Sequence, residues 1–189
     1  MSFSKQLIWL DLEMTGLDVE KNTIIEIATI ITDNNLNIIA KGPDIIIHQP
    51  QSALDIMDEW NTSHHGASGL TKAVQESKIS LEQAEKQTLD FLKQYLKPNE
   101  APLCGNSVHM DRFFLHRYMP TLHAFFHYRN IDVSTVKELA FRWAPEIAKK
   151  LQKLSGHRAM ADIEDSINEL RFYRQNFIVP PDKIGSIKK

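Results

Sequence analysis

Asp11 and Glu13 stand two residues apart at the end of the first apolar segment, Gln6 to Leu12, which predicts a buried strand. Because side chains alternate between the two faces of a strand, both carboxylates project from one face and the neighbouring leucines from the other. A buried carboxylate is unfavourable unless it is paired or metal-bound, so a hard divalent cation would account for the pair. A strand end that is exposed to water accounts for it equally well.

Asp111 is a third acid in a position suited to chemistry. It follows the motif Cys-Gly-Asn-Ser, at the end of a predicted strand over Pro102 to Gly105, and lies in the first turn of a predicted amphipathic helix from about Val108 to Tyr118. The helix dipole alone favours an acid there by about 0.3 to 1 kcal/mol. Asp111 by itself therefore does not distinguish a metal ligand from a helix-stabilising acid.

His157 and Asp162 occur together in Gly-His-Arg-Ala-Met-Ala-Asp, at the start of the last predicted helix. Five helical positions rotate a side chain by about 140°, so the two would not share a face if both were helical. We therefore expect His157 in the Gly156 loop before the helix, where it can approach a site that Asp162 contacts. A histidine beside a glycine is also common on protein surfaces.

The strands that must position these residues are predicted from apolar runs and turns. Thr23 to Thr32 and Leu36 to Ala40 indicate antiparallel strands joined by a turn at Asp33-Asn34-Asn35, and Asp44 to His48 indicates a possible further strand. Asn130 to Val133 indicates another short strand. The sheet is thus predicted to begin as an antiparallel meander.

Helical segments are predicted between and after these strands. Ser80 and Gln83 form a capping box for a long helix that Pro98 ends, and Thr135 with Glu138 predicts the start of a helix that runs towards Trp143. Apolar residues at steps of three and four predict the buried face of the last helix, which carries Ile163, Ile167, Leu170 and Tyr173. Steps of three residues likewise predict a helix beyond Pro50, through Leu54, Met57 and Trp60.

Size and composition indicate one α/β domain. With 189 residues, 42% of them hydrophobic, the chain is expected to form a single domain over residues 1–178 with a flexible C-terminal tail over 179–189. The single cysteine, Cys104, excludes an internal disulfide and a multi-cysteine zinc site, and we expect it to be an inert packed thiol. Without a signal-peptide pattern or a run of about 18 apolar residues, we expect a cytoplasmic protein with no membrane partner. The net charge of −2 argues against a long polyanionic partner but not against a small nucleic acid.

Four acids and a histidine resemble the catalytic residues of the DEDDh superfamily of 3′-to-5′ exonucleases in their order and local context. They are Asp11, Glu13, Asp111, Asp162 and His157. The resemblance implies a ribonuclease-H-like fold, in which helices flank a mixed sheet and the carboxylates converge at its centre. It also implies two divalent cations, Mg²⁺ or Mn²⁺, which suit ligand sets made only of oxygen. His157 would then take a proton from the attacking water.

Longer stretches resemble the oligoribonuclease family across about Leu7 to Phe177, namely Leu-Ile-Trp-Leu-Asp-Leu-Glu-Met-Thr-Gly-Leu, Met-Asp-Glu-Trp-Asn, Cys-Gly-Asn-Ser, Phe-His-Tyr-Arg and Ile-Asp-Val-Ser-Thr-Val-Lys-Glu-Leu. The resemblance implies hydrolysis of single-stranded RNA of two to about five nucleotides, especially 5′-phosphorylated dinucleotides, by a homodimer. It implies that Leu17 separates two bases, that Trp60 stacks on a base and that His65 contacts a phosphate. Ser107, Arg129, Ser134 and Thr135 would surround the 5′-phosphate, and Tyr128 would reach the other subunit's site.

Several interpretations remain open at the level of sequence. His109 and Met110 before Asp111, and Ala161 before Asp162, depart from the family pattern without removing a ligand, and they leave metal affinity and loop shape undefined. Trp60 could belong to a buried stripe with Leu54 and Met57. Ser134 and Thr135 stand at a predicted helix start, where backbone N–H groups favour an anion, but they could simply cap that helix. A proofreading-type DNA exonuclease and a catalytically inactive oligonucleotide-binding module are the alternative functions.

Overall fold

The computed structural model describes residues 4–151 and 158–179, which form a mixed five-stranded sheet with helices on both faces. The strands are β1 Gln6–Met14, β2 Ile24–Asp33, β3 Ile38–Ile46, β4 Pro102–Gly105 and β5 His127–Asp132, and their order across the sheet is β3-β2-β1-β4-β5. β2 pairs antiparallel with both β1 and β3, whereas β4 pairs parallel with β1 and β5. The predicted α/β class and the opening antiparallel meander are confirmed.

The helices cover the sheet in two main layers. They are α1 Gln51–Leu54, α2 Glu59–Ala67, α3 Leu70–Glu76, α4 Leu81–Leu92, α5 Val108–Tyr118, α6 Pro120–Phe125, α7 Val133–Trp143, α8 Pro145–Ala148 and α9 Ala159–Asn176. Helices α4, α5 and α6 bury their apolar side chains against Leu10 and Leu12, while α7 and α9 pack on the opposite face, around Trp9. Within residues 4–151 and 158–179, none of the helices combines the length and apolar character needed to cross a bilayer.

The third strand differs from the prediction. Instead of ending at Ala40 and restarting at Asp44, β3 runs continuously from Ile38 to Ile46. The register with β2 shifts between Lys41 and Asp44, and this irregularity accommodates Pro43 on the outermost strand, where a missing N–H is tolerated. β5 also begins earlier than predicted, at His127, and ends at Asp132.

The predicted stripe of Leu54, Met57 and Trp60 is wrong. α1 ends at Leu54, and Asp58 then caps α2 by accepting the backbone N–H of Asn61 at 2.8 Å. Leu54 is buried, whereas the Trp60 side chain is 54% exposed. The interpretation of Trp60 as a core residue is therefore excluded.

Of the remaining helix predictions, some are confirmed and one is wrong. The capping box of Ser80 and Gln83 is present, α5 has the predicted bounds, and Ile163, Ile167 and Tyr173 are buried on one face of α9 with Leu170 beside them. α7 is capped by Asp132, which accepts the backbone N–H of Ser134, rather than by Thr135. The predictions for His157, its loop and residues 180–189 lie outside the described residues.

Candidate active site

Strand β1 separates its carboxylates from its core side chains as the alternation predicts. Leu10 and Leu12 are buried in the layer under α4 and α5, while Asp11 and Glu13 are partly exposed on the other face. In the antiparallel register, Asp11 lies opposite Ala28 of β2 and Glu13 lies opposite Glu26. The centre of the sheet therefore presents an acidic patch on the side that α9 covers.

The first turn of α9 adds a third acid to this patch. One carboxylate oxygen each from Asp11, Glu13 and Asp162 lies within 4.8 Å of the others. Mg²⁺ binds oxygen ligands at about 2.0–2.1 Å, so two ligands of one ion can be about 4 Å apart. An all-oxygen set with this spacing fits a hard divalent cation after a small closure of the three side chains.

Burial and the charges of neighbouring acids raise the pKa values of Asp11 and Glu13. The pKa of Asp11 is well above its usual range, mainly because the side chain is buried and also because of the charges of Asp111, Glu13 and Asp162. Burial, followed by the charges of Asp162, Glu26 and Asp111, raises the pKa of Glu13 to about 8. The site is therefore poised to bind cations, because a cation would relieve the repulsion that disfavours the ionised forms.

Asp111 adjoins this group without joining the three-carboxylate cluster. Its side chain is 5% exposed, and its Oδ1 accepts the backbone N–H of Leu12 at 3.1 Å, which fixes the first turn of α5 against β1. Burial raises the pKa of Asp111 to about 7. Of the four predicted acidic ligands, the structure thus clusters three and places the fourth beside Asp11.

A cleft of about 300 Å³ opens over the three clustered acids. Leu17 and Trp60 line it, and both are unusually exposed for large apolar side chains, at 68% and 54%. Exposed apolar side chains beside a polar cleft are typical of a binding surface. Three further lining residues, Asn106, Asp165 and Ser166, were not predicted from the sequence, although Asp165 lies three positions after Asp162 and so on the same side of α9.

The residues predicted to hold a 5′-phosphate fall into two groups outside the lining of this cleft. Ser107 and Ser134 are close together, with their Oγ atoms 3.1 Å apart. Asp132 Oδ1 accepts the backbone N–H groups of both serines, at 3.0 and 2.9 Å. The backbone N–H of Ser134 is therefore already hydrogen-bonded to a carboxylate. The exposed Thr135 follows Ser134 in the same turn.

The second group lies on β5, the edge strand at the opposite end of the sheet from β3. The side chain of Tyr128 is 74% exposed, and its Oη accepts the Nε–H of Arg129 at 3.1 Å. His65, predicted to contact a phosphate, is 1% exposed, and its Nε2 lies 3.0 Å from the backbone oxygen of Met14. That contact holds α2 against the end of β1.

A buried ion pair next to the acids was also missed at the level of sequence. Glu26 has no exposed surface, and Arg158 contacts its Oε1 at 2.6 and 2.7 Å. The only signal was a glutamate within the apolar run of β2. The partner is 132 residues away along the chain, beyond the reach of any local pattern.

Comparisons with known proteins agree with this site. A family model for RNase T-type exonucleases matches residues 8–170. A protein of Marinobacter nauticus named oligoribonuclease is 62% identical over 94% of this chain and 98% of its own length. The oligoribonuclease of Acinetobacter baylyi is 57% identical over 92% of this chain and 95% of its own length.

Solved structures show the same fold at low sequence identity. Exonuclease I of Methylocaldum szegediense superposes with a TM-score of 0.66 at 18% identity, covering 91% of this chain but 41% of the exonuclease I chain. A 3′-exonuclease that recognises the 3′ end of a histone mRNA stem-loop superposes with a TM-score of 0.66 at 15% identity, covering 94% of this chain and 84% of its own. From its sequence, fold and acidic site together, the chain belongs to the oligoribonuclease family of exonucleases.

Proposed function

We propose that this chain removes nucleotides from the 3′ end of RNA of two to about five nucleotides, with a preference for 5′-phosphorylated dinucleotides. The observation that carries the proposal is the cluster of Asp11, Glu13 and Asp162 at the floor of an open cleft. Relatives named oligoribonuclease that match nearly the whole chain support the choice of short RNA as substrate. We further propose that residues 1–178 form one exonuclease domain and that the protein works in the cytoplasm.

Two divalent cations, Mg²⁺ or Mn²⁺, are proposed to bind at the acidic cluster. Asp11 is the proposed shared ligand, and Glu13, Asp111 and Asp162 complete the two ligand sets. When bound, such cations neutralise the charge that develops on the attacking and leaving oxygens of a phosphodiester. The raised pKa values of Glu13 and Asp111, about 8 and about 7, support this assignment because burial, their main cause, disfavours ionised carboxylates that a bound cation would stabilise.

His157 is the proposed general base. It directly precedes Arg158, whose backbone oxygen accepts the N–H of Asp162 at 3.0 Å, so the sequence places it next to the turn that carries a proposed ligand. A histidine has a reference pKa of about 6.5, which allows it to accept a proton from water near neutral pH. The proton would pass to this side chain as the 3′-oxygen of the penultimate nucleotide leaves.

Leu17 and Trp60 are proposed to hold the bases while the acids hold the scissile phosphate. Both side chains line the cleft and expose apolar surface to it. Stacking of a base on an aromatic ring contributes about 1 to 3 kcal/mol and tolerates any base. Leu17 would be the wedge that separates the last two bases.

The 5′-phosphate is proposed to bind among Ser107, Ser134, Thr135 and Arg129, with His65 as a further contact. Two adjacent hydroxyls, on Ser107 and Ser134, support this, and so does an exposed guanidinium, which can donate two parallel hydrogen bonds to a phosphate. We also propose a homodimer in which Tyr128 reaches the other subunit's site. Its exposed ring stands on β5, an edge strand of the sheet, and edge strands are available for pairing with another chain.

A direct assay separates this function from its alternatives. Hydrolysis of a 5′-phosphorylated diribonucleotide, the matching dideoxyribonucleotide and a long single-stranded RNA would be compared with Mg²⁺, with Mn²⁺ and with a chelator. We expect metal-dependent release of mononucleotides, fastest from the diribonucleotide. Faster hydrolysis of the DNA would favour a proofreading-type exonuclease, and binding without hydrolysis under any condition would favour an inactive binding module.

A further inference from the structure

Glu26 presents an electrostatic problem beside the acidic cluster. It lies directly opposite Glu13 in the antiparallel pairing of β1 and β2 and has no exposed surface. Like charges at directly opposed positions destabilise a sheet, and a buried unpaired carboxylate is more unfavourable still. The fold therefore needs a partner for Glu26 that a metal at the cluster does not supply.

Arg158 is that partner, and it stands at the start of α9. Its Nε and Nη2 contact Oε1 of Glu26 at 2.7 and 2.6 Å. The other carboxylate oxygen, Oε2, accepts the backbone N–H of Ala159 at 3.1 Å. The N-cap residue of α9, Arg158, makes no capping hydrogen bond with its own side chain. Glu26 of the sheet instead accepts the first backbone N–H of this helix.

These contacts reach a proposed metal ligand within one helical turn. The N–H of Asp162 donates to the backbone oxygen of Arg158 at 3.0 Å. Fixing Arg158 against β2 therefore fixes the turn from which Asp162 meets Asp11 and Glu13 of β1. Both carboxylate oxygens of Glu26 already accept hydrogen bonds, which explains why Glu26 stays outside the three-carboxylate cluster.

We propose that the Arg158–Glu26 ion pair is a positioning clamp, which sets the spacing between Asp162 and the two acids of β1 and thereby sets the affinity of the site for divalent cations. The inference rests on the proposed metal site. Neither clamp residue is a ligand, and both act through Asp162. Groups that orient metal ligands typically change metal affinity by about 10- to 100-fold when they are removed.

The docking of α9 as a whole does not depend on this clamp. Lys41 of β3 pairs with Glu164 of the same helix at 2.5 Å, with both side chains largely exposed, and Arg171 donates to the backbone oxygen of Leu36. The buried face of α9 adds Ile163, Ile167 and Tyr173. The clamp should therefore govern the first turn more than the attachment of the helix.

The test measures Mn²⁺ binding to the chelator-stripped protein by the loss of the free-ion electron paramagnetic resonance signal. For Arg158→Met, the clamp and simple electrostatics predict opposite changes in Mn²⁺ affinity. Removing a cation near the acids should by Coulomb's law alone strengthen Mn²⁺ binding, whereas loss of the clamp should weaken it by about 10- to 100-fold. Arg158→Lys keeps the charge but not the planar two-nitrogen contact, and we expect its affinity to lie between those of the wild type and Arg158→Met.

The double variant Glu26→Gln/Arg158→Met separates positioning from folding. Removing one member of a buried pair is strongly destabilising, but replacing both by neutral groups is often tolerated, so its melting temperature should recover relative to Arg158→Met. Its Mn²⁺ affinity should remain low. Lys41→Met, which removes the exposed ion pair between β3 and α9, is the matched control and should keep wild-type affinity.

Each outcome decides between the two proposals. Wild-type or tighter Mn²⁺ binding by Arg158→Met, or recovery of affinity along with stability in the double variant, would overturn the clamp. The metal site itself would fail instead if the wild type did not bind Mn²⁺ or if Asp162→Asn bound it equally well. A low affinity in Arg158→Met and the double variant, with intact binding in Lys41→Met, supports the clamp.

Discussion

Replacing Glu13 by Gln should stabilise the metal-free protein at pH 8 while weakening its affinity for divalent cations. Glu13 is held close to Asp11 and Asp162, and burial and repulsion raise its pKa from an ordinary value of 4.5 to about 8. Gln has nearly the same shape but no charge. The substitution therefore removes from the native state a buried charge and its repulsion with the neighbouring acids, and it leaves the packing of β1 intact.

The magnitude and the pH window follow from those two pKa values. Below pH 4.5 the carboxyl is protonated in the folded and unfolded chains, so Gln should change little; the benefit grows as pH rises and is complete above about pH 8. At about 1.4 kcal/mol for each pH unit, the interval from 4.5 to about 8 corresponds to at most on the order of 5 kcal/mol. This figure is an upper limit, and an effect one third as large, about 1.5 kcal/mol, would still raise the melting temperature of a domain of this size by about 3 to 6 °C.

Thermal melts of the wild type and Glu13→Gln in chelator, from pH 4.5 to above pH 8, would measure this effect. Glu76→Gln is a suitable control, because Glu76 is an exposed acid whose only described ion pair is with Lys72 at 3.7 Å. It should change stability by less than about 1 kcal/mol at every pH. Equal melting temperatures for Glu13→Gln and the wild type at pH 8 would refute the claim that burial and repulsion disfavour the ionised form of Glu13. Saturating Mg²⁺ should stabilise the wild type more than the variant.

Three further substitutions test the proposed roles. Asp162→Asn should abolish hydrolysis but not folding, as measured by product release and circular dichroism; wild-type turnover would remove Asp162 from the ligand set. His157→Ala should lower turnover by about 10²- to 10⁴-fold with little change in substrate affinity, and the wild-type rate should fall as pH drops through the histidine pKa; preserved turnover with weakened binding would make His157 a substrate contact. Arg129→Ala should reduce the preference for a 5′-phosphorylated dinucleotide over a longer oligomer, in a competition assay; an equal loss on both substrates would contradict a 5′-phosphate contact.

Local rules were enough to predict the parts of this fold that depend on neighbouring residues. The alternation that places Asp11 and Glu13 opposite Leu10 and Leu12 follows from strand geometry alone, and the structure shows it. The capping box at Ser80 likewise depends on residues three positions apart. Both predictions were confirmed because tertiary packing does not compete with them.

Predictions failed where a competing cap or a contact with a distant residue overrides a local signal. The Gly42-Pro43 pair is typical of a strand end, yet β3 continues through it because the strand lies at the sheet edge and the register with β2 shifts there. Thr135 has the residue type of a helix cap, but Asp132 precedes it and already holds the backbone N–H groups at 107 and 134. The partner of the first donor of α9 could not be predicted at all, since Glu26 is separated from Ala159 by 133 residues.

The length preference is the most direct test of the proposed function. Rates of hydrolysis by the wild type with metal, and affinities of Asp162→Asn, would be measured for 5′-phosphorylated RNA of two to seven nucleotides. A phosphate site that closes the 5′ end of the cleft would exclude longer chains. We predict that both quantities are highest for the dinucleotide and fall with each added nucleotide. Rates and affinities that stay constant or rise with length would contradict a short-RNA exoribonuclease with a closed 5′ end.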